Sequence, residues 1–297
     1  MNKTNSRLLR RPIRRCFAVF LLPTLLAFCI GFAYPFLSGL YRSFCRFTSP
    51  VDYQWEGIEN YVRAFRDEGF RSAFRFTALY TLVSIILINV LAFAIAYALT
   101  QKLRGSNLFR TVFFMPNLIG GIVLGYIWSL IFDAILKRAG AGQLVTNTTY
   151  GFWGLVILVA WQQIGYMMII YIAALQTVPE ELHEAARIDG AGRWKTLRHV
   201  TIPNVMPAIT ICVFLTLTNS FKLFDQNLAL TGGLPIRTTQ SAQIRSTEML
   251  ALHIFNLNGI GNNWKGPAQA EAVIFFLLVA VLALAQLRAT GRKEAQQ

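Results

Sequence analysis

A chain of 297 residues that is 55% hydrophobic and only 14% charged, with mean hydropathy +0.46, carries about half the charge of an ordinary soluble domain and reads as a membrane protein. Its net charge of +14 would suit nucleic acid only if Lys and Arg gathered on a folded soluble surface. Much of that charge flanks apolar runs instead, so no nucleic-acid partner is expected.

Crossing a hydrocarbon core takes about 20 mostly apolar residues in helical form. Six stretches qualify or come close, which predicts an all-α integral membrane fold with six transmembrane helices. Residues 1–15 form a basic amino terminus containing "RLLRRPIRR". The first span covers 16–40; its apolar core is too long for a secretory signal and no small-x-small cleavage site closes it, so it is expected to stay. Residues 41–75 form a loop with both charge signs, and the second span covers 76–99. The third, 112–132, has Gly121 and Gly125 in GxxxG spacing beside Pro116 and Gly120, which permits close helix contact. The fourth, 152–175, contains "VAWQQIGYMMIIY", and 177–203 is a charged loop. The fifth, 205–224, contains "LTLTNSFKLF", the sixth covers 270–287, and 289–297 is a polar tail; residues 76–288 together make the core.

Six spans place both termini on one side, and Lys and Arg decide which. Segments sharing the amino terminus carry Arg7, Arg10, Arg11, Arg14 and Arg15, then Lys102, Arg104 and Arg110, then Arg187, Arg193, Lys195 and Arg198. On the opposite side Arg42, Arg46, Arg63, Arg66 and Arg71 are offset by Asp52, Glu56, Glu59, Asp67 and Glu68. Both termini are expected in the cytoplasm of a multi-pass protein in the cell (inner) membrane, and the 177–203 loop with them.

The chain has no GxxxxGK[ST] phosphate loop, so ATP hydrolysis of that kind is not expected here. No catalytic or metal site is expected either: the histidines, His183, His199 and His253, form no HExxH arrangement and cannot assemble a Ser/His/Asp set within the membrane. Cys16, Cys29, Cys45 and Cys212 lack CxxC spacing and are expected to pack rather than bridge or bind zinc. Trp161, Gln162, Gln163 and Tyr166 fall within little more than one helical turn, and Thr216, Thr218, Asn219 and Ser220 cluster in the fifth span. Amides, hydroxyls and flat aromatic faces suit a sugar path, although the same residues also belt interfaces and join helices. Lys222 and Asp225, spaced i,i+3, would share a helix face as a salt bridge or line a polar path. An ion-coupled secondary transporter is the rival reading; it would favour internal repeats and charges at mid-membrane, which the spans lack.

The loop reads locally as two short helices. Thr177 with Glu180 predicts a capping box, Pro179 suits the first turn, and Glu180, Glu181 and Glu184 complement the positive helix end. The first helix should run to Asp189 and break at Gly190. Trp194, Leu197 and Val200 continue a second, stopped by Pro203. Ala185 and Ala186 offer a flat patch where another surface can approach.

"EAARIDGAGRWKTLRHVTIP" resembles the EAA loop of binding-protein-dependent ABC importer permeases, whose pattern is EAA, three residues, G, nine residues, I, one residue, LP. Glu184, Ala185, Ala186, Gly190 and Pro203 fit as they stand, while Val200 and Ile202 replace the apolar Ile and Leu. "LLPTLLAFCIGFAYPFLSGLYRSF", "FRTVFFMPNLIGGIVLGYIW" and "FDQNLALTGGLP" are similar to the sugar-type branch, with Leu234 where a third glycine is common. The resemblance implies a type I (MetI-like) permease with a cytoplasmic coupling helix between helices 4 and 5, seated on a separate ATPase that uses the ATP. It implies Glu180, Glu181, Glu184, Ala185, Ala186, Asp189 and Gly190 as the docking residues, and no cofactor in this chain. It also implies a second permease subunit, an ABC ATPase dimer, an extracellular solute-binding protein and a sugar or polyol derivative. Trp161, Gln162, Tyr166, Asn219, Ser220, Lys222 and Asp225 are the expected solute contacts.

Overall fold

The computed structural model describes residues 21–101, 105–239 and 242–294. The basic run at 1–15, the start of the first span at 16–20, Lys102, Arg104 and residues 295–297 lie outside them. In chain order the elements are α1 (Leu21–Arg42), β1 (Cys45–Phe47), β2 (Tyr53–Trp55), α2 (Glu59–Arg66), α3 (Glu68–Thr100), α4 (Ser106–Leu118), α5 (Gly121–Arg138), α6 (Thr148–Gln176), α7 (Glu180–Ile188), α8 (Arg193–Asn204), α9 (Met206–Phe221), α10 (Asp225–Leu230), β3 (Ile236–Thr238), β4 (Gln243–Arg245), α11 (Leu250–Ile260) and α12 (Asn262–Glu294). Among the described residues the regular structure is helical apart from two antiparallel hairpins. Among the described residues four helices are long and apolar enough to cross a membrane: α1, α3, α6 and α12; the number rises to six if α4 with α5, and α8 with α9, each count as one bent span.

The chain divides into two compact units. The smaller comprises Met1–Ala64 and Leu257–Val273. In it the β1–β2 hairpin pairs Cys45 with Trp55 and Phe47 with Tyr53. Asn60, fully buried on α2, donates to the carbonyls of Ser43 and Cys45, both at 2.9 Å, and so fastens the hairpin. Gly266 lies so close to Asn60 that a Cβ would stand 2.6 Å from its Nδ2, and glycine removes that obstacle. Cys45 packs inside as expected, whereas Cys29 is exposed on α1. An apolar stretch gives a small thiol no obligation to face inward when most of the helix is uncovered.

The larger unit comprises Phe65–Asn256 and Ile274–Gln297. Asp67 starts α3 by accepting the Phe70 amide at 2.7 Å, and Asn147 starts α6 by accepting the Thr149 amide at 2.8 Å; each satisfies an amide the first turn leaves open. Two-thirds of the apolar window of α6 is buried, and α3, α4 and α9 pack against it. On α3, Ile88, Ala92 and Ala96 recur at fours and present a narrow face to Met167, Met168 and Tyr171 of α6 and Cys212 of α9. A buried polar chain crosses this apolar layer. The Tyr171 hydroxyl donates to Asn89 Oδ1 at 2.7 Å, and Asn89 Nδ2 donates to the Ile85 carbonyl and to Thr216 Oγ1. Away from water such groups have only one another, so the chain fixes the rotation of three helices.

Two helices depart from the sequence expectation. The stretch 112–132 is not one straight helix: α4 and α5 meet at 101° around Ile119 and Gly120. Pro116 and the paired glycines release the backbone there, a change that hydropathy does not register. At the other charged boundary, α8 passes through Pro203 and ends at Asn204, and the 71° bend falls at Val205, ahead of Pro207.

Candidate functional site

The loop from Thr177 to Pro203 forms the short helices expected. α7 ends with Asp189 as its cap, and Gly190 follows at φ +73°, a conformation that a β-branched side chain resists. The capping box does not form. Thr177 Oγ1 instead donates to the Ala174 carbonyl at 2.8 Å, closing the last turn of α6, and Pro179 takes the cap position of α7 without a side-chain bond. Thr177 thus serves the helix behind it, because its hydroxyl reaches an open carbonyl there first. Glu180 and Glu181 occupy the first turn, where they complement the helix end. Glu184 and Ala185 are exposed and Ala186 is half-buried. Exposed apolar side chains stand among the charged ones on the rest of the projection: Ile188 is 87% and Trp194 78% exposed, and Leu182 is exposed too, beside exposed Arg187, Arg193 and Lys195.

The second candidate cluster lies where α4, α5, α6 and α10 meet. Gln162 of α6 is buried, and both ends of its amide are engaged. Nε2 donates to the Ile119 carbonyl, freed at the α4–α5 bend, at 3.1 Å; Oε1 accepts from Gln226 Nε2 of α10 at 2.8 Å. The bend is thus satisfied by a neighbouring helix rather than by water. The GxxxG pair has the expected effect and its partner is α10: a Cβ on Gly121 would stand 2.8 Å from Asp225 Cβ, and one on Gly125 2.6 Å from Ala229 Cβ. Behind them a Cβ on Gly165 would run into the Phe113 carbonyl group, so α6 crosses α4 in backbone contact.

The expected solute residues separate by environment. Trp161 is 42% exposed and stands edge-on to Trp128 with ring centroids 5.4 Å apart. Tyr166 is half-buried, and Ser220 is fully buried with no hydrogen-bond partner for its hydroxyl. Asn219, Lys222 and Asp225 are exposed, and their side chains meet no polar partner among the described residues. Lys222 and Asp225 do not share a helix or form an ion pair: α9 ends at Phe221, with Lys222 as its cap, and Asp225 opens α10. The apolar run continues through Phe224, which is why the sequence suggested one helix.

Two further groups leave no contiguous signature in the sequence. Asn227 is fully buried; Nδ2 donates to Thr231 Oγ1 and to the Thr247 carbonyl, and Oδ1 accepts the Met249 amide. It anchors "LTGGLP", in which Gly232 and Gly233 lie at positive φ, so the glycines retained are those the turn needs. The second group joins α3 to α11: His253 Nδ1 lies 2.9 Å from Glu248 Oε2 and Nε2 lies 3.3 Å from Asp67 Oδ2. Burial alone would raise the Asp67 carboxyl; the hydrogen bond to His253, the Phe70 amide and the His253 charge outweigh it and hold the group below the usual carboxylate range.

Residues 88–292 match the family of binding-protein-dependent transport system inner membrane components. The chain is 39% identical to the probable starch degradation products transport system permease protein AmyD of Thermoanaerobacterium thermosulfurigenes, over 94% of each chain. It is 31% identical to the multiple sugar-binding transport system permease protein MsmF of Streptococcus mutans, over 93% of this chain and 95% of the relative. Among solved structures, a chain of a bacterial ABC transporter involved in the import of the acidic polysaccharide alginate superposes with TM-score 0.77, covering 96% of this chain and 98% of its own, at 20% identity. A chain of the MetNI methionine ABC transporter superposes with TM-score 0.53, over 76% of this chain and 95% of its own, at 19% identity. These two likenesses concern the fold. With the EAA pattern on an exposed, glycine-terminated helix and the family model spanning most of the chain, the protein belongs to the binding-protein-dependent transport system inner membrane components and is a permease subunit of an ABC importer.

Proposed function

We propose that this permease carries a sugar, an oligosaccharide or a related polyol derivative handed over by an extracellular solute-binding protein, and that an ABC ATPase drives it from the cytoplasm through α7. The substrate class rests on the relatives: two permeases matched over nearly the whole chain are named for starch degradation products and multiple sugars. Each bent pair counts as one span, giving six, with both termini and the 177–203 loop cytoplasmic as the Lys and Arg distribution requires. Residues 16–40 are the first span, 41–75 the external loop and 76–288 the permease core. A second, homologous permease subunit completes the pore.

The observation that carries the docking role is the exposure of Leu182, Ile188 and Trp194 on a projection that also holds Glu184, Ala185 and Ala186. An apolar group in water on a short capped helix is what a partner surface covers. Glu180, Glu181 and Asp189 frame the contact, and Gly190 sets the exit angle toward α8. ATP binding to the ATPase can shift the inward-open and outward-open states only through a difference in contact energy, so α7 must transmit displacement rigidly. For the solute, Trp161 and Tyr166 supply aromatic faces, Asn219 and Ser220 polar partners, and Lys222 and Asp225 separate charges at the end of α9. Gln162 acts by holding the wall in place, since its amide is taken up by Ile119 and Gln226.

Purifying the tagged chain from its native membrane under gentle conditions and identifying the co-purifying chains tests this reading. An ATPase and a second permease are expected. Recovery of the chain alone, together with uptake driven by an ion gradient without ATP, would replace it with a secondary transporter.

A further inference from the structure

We infer that the permease binds a phosphate-ester anion in a cavity behind the coupling helix. The cavity holds about 550 Å³ and lies within the larger unit, between the ends of α3 and α6 on one side and the α7–α8 segment on the other. α7 turns Glu180, His183 and Arg187 into it, residues spaced at three and four and so lying on one face. Arg193, Thr196 and Thr201 of α8 complete the polar wall. Part of the charge of α7 thus faces this space, while Glu181, Glu184, Leu182 and Ile188 are exposed outside it.

Three features select the ligand. Two guanidinium groups and an imidazole confront a single carboxylate, and neither Arg187 nor Arg193 forms an ion pair among the described residues. A guanidinium binds phosphate oxygens in paired hydrogen bonds, so two of them aimed at one space favour that group over a carboxylate or a neutral sugar. Thr201 is 2% exposed and its hydroxyl has no hydrogen-bond partner, which leaves a buried donor awaiting an acceptor. It also ends a π-helical turn at Leu197–Thr201, a local widening that recurs at binding sites. The volume exceeds what phosphate alone fills, so the anion carries an organic part. That part belongs either to a soluble phosphate ester or to an anionic phospholipid reaching in from the neighbouring leaflet. In both cases the phosphate would cross-link α7 to α8 beside the docking residues.

Full-length protein in phosphatidylcholine nanodiscs, titrated calorimetrically with inorganic phosphate and with glucose 6-phosphate, tests the soluble source. Nanodiscs containing phosphatidylglycerol, read by native mass spectrometry for retained lipid, test the other. Saturable binding in either arm is expected, and the arm that responds names the source. Arg187→Gln combined with Arg193→Gln should weaken it at least about tenfold, and Thr201→Val by about threefold. Glu180→Gln, which removes the opposing carboxylate, should tighten it by about threefold, a gain that misfolding cannot produce. No binding in both arms, or binding unchanged by all these variants, overturns the inference. ATPase co-purification forms no part of these readouts, so the result stands or falls apart from the docking role.

Discussion

The crossing of α6 over α4 can be tested with one methyl group. In Gly165→Ala the new Cβ meets backbone rather than a side chain that could swing away: the Phe113 carbonyl oxygen and carbon come first, and even the third-nearest atom, Phe114 N, would stand 2.8 Å from it. For that nitrogen alone to reach ordinary contact near 3.5 Å, the helices must part by about 0.7 Å, and the carbonyl demands more. Overpacking of this kind costs about 1–3 kcal/mol. The Gln162–Ile119 hydrogen bond, 3.1 Å long and one turn away on α6, lies in the same contact and weakens with it, adding about 0.6–1.7 kcal/mol on the scale measured between membrane helices. The sum, about 1.6–4.7 kcal/mol, shifts the unfolding equilibrium about 15- to 3,000-fold. Unfolding in mixed micelles with increasing denaturing detergent, followed by tryptophan fluorescence, reads this directly. Gly259→Ala is the control, because nothing lies within 4 Å of its Cβ position in α11; it should be neutral or slightly stabilising. A Gly165→Ala protein as stable as that control would refute the backbone contact.

Three further outcomes follow from the same contacts. Gln162→Leu leaves the Ile119 carbonyl and the Gln226 amide without their partner and should cost about 1–3 kcal/mol in the same assay; a loss of sugar affinity with unchanged stability would instead make Gln162 a solute contact. Asn89→Leu strands the Tyr171 hydroxyl, while Thr216 keeps its bond to the Cys212 carbonyl, and should cost about 1–2 kcal/mol while leaving insertion intact, as judged by membrane extraction. The lowered pKa of Asp67 gives a pH signature. A carboxylate held below its unfolded pKa of about 3.9 contributes stability above that value and loses it as pH falls through the folded pKa. The unfolding midpoint should therefore drop below about pH 4 in the wild type, and Asp67→Asn should flatten that limb; parallel curves would contradict the Asp67–His253 bond.

Local chemistry made part of this architecture readable in advance. The EAA segment is contiguous, so its helix and its glycine break could be read from neighbouring positions, and Gly190 at φ +73° has the geometry its place in the pattern demands. GxxxG in α5 announced a close contact but could not name α10 as the partner. What depended on distant pairing stayed hidden. Gln226 lies 64 residues from Gln162, and Thr216 lies 127 from Asn89, and a single chain carries no sign that they meet. The two bends were hidden for another reason: hydropathy averages over Pro116, Gly120 and Pro207, and an apolar run reads the same whether the helix within it is straight or broken. Thr177 shows a third limit. Its hydroxyl had two possible employers, α6 behind and α7 ahead, and only the folded chain decides between them.

The coupling role of α7 is open to one decisive measurement: ATP-driven sugar uptake by Gly190→Val in proteoliposomes containing the permease pair, the ATPase and the solute-binding protein. A β-branched side chain at φ +73° is strained by about 1–3 kcal/mol and must turn α7 relative to α8, while the spans are left alone. The expected variant inserts and assembles normally, hydrolyses ATP without stimulation by the loaded binding protein, and accumulates no sugar. Uptake at the wild-type rate would show that α7 does not carry the stroke of the ATPase to the pore.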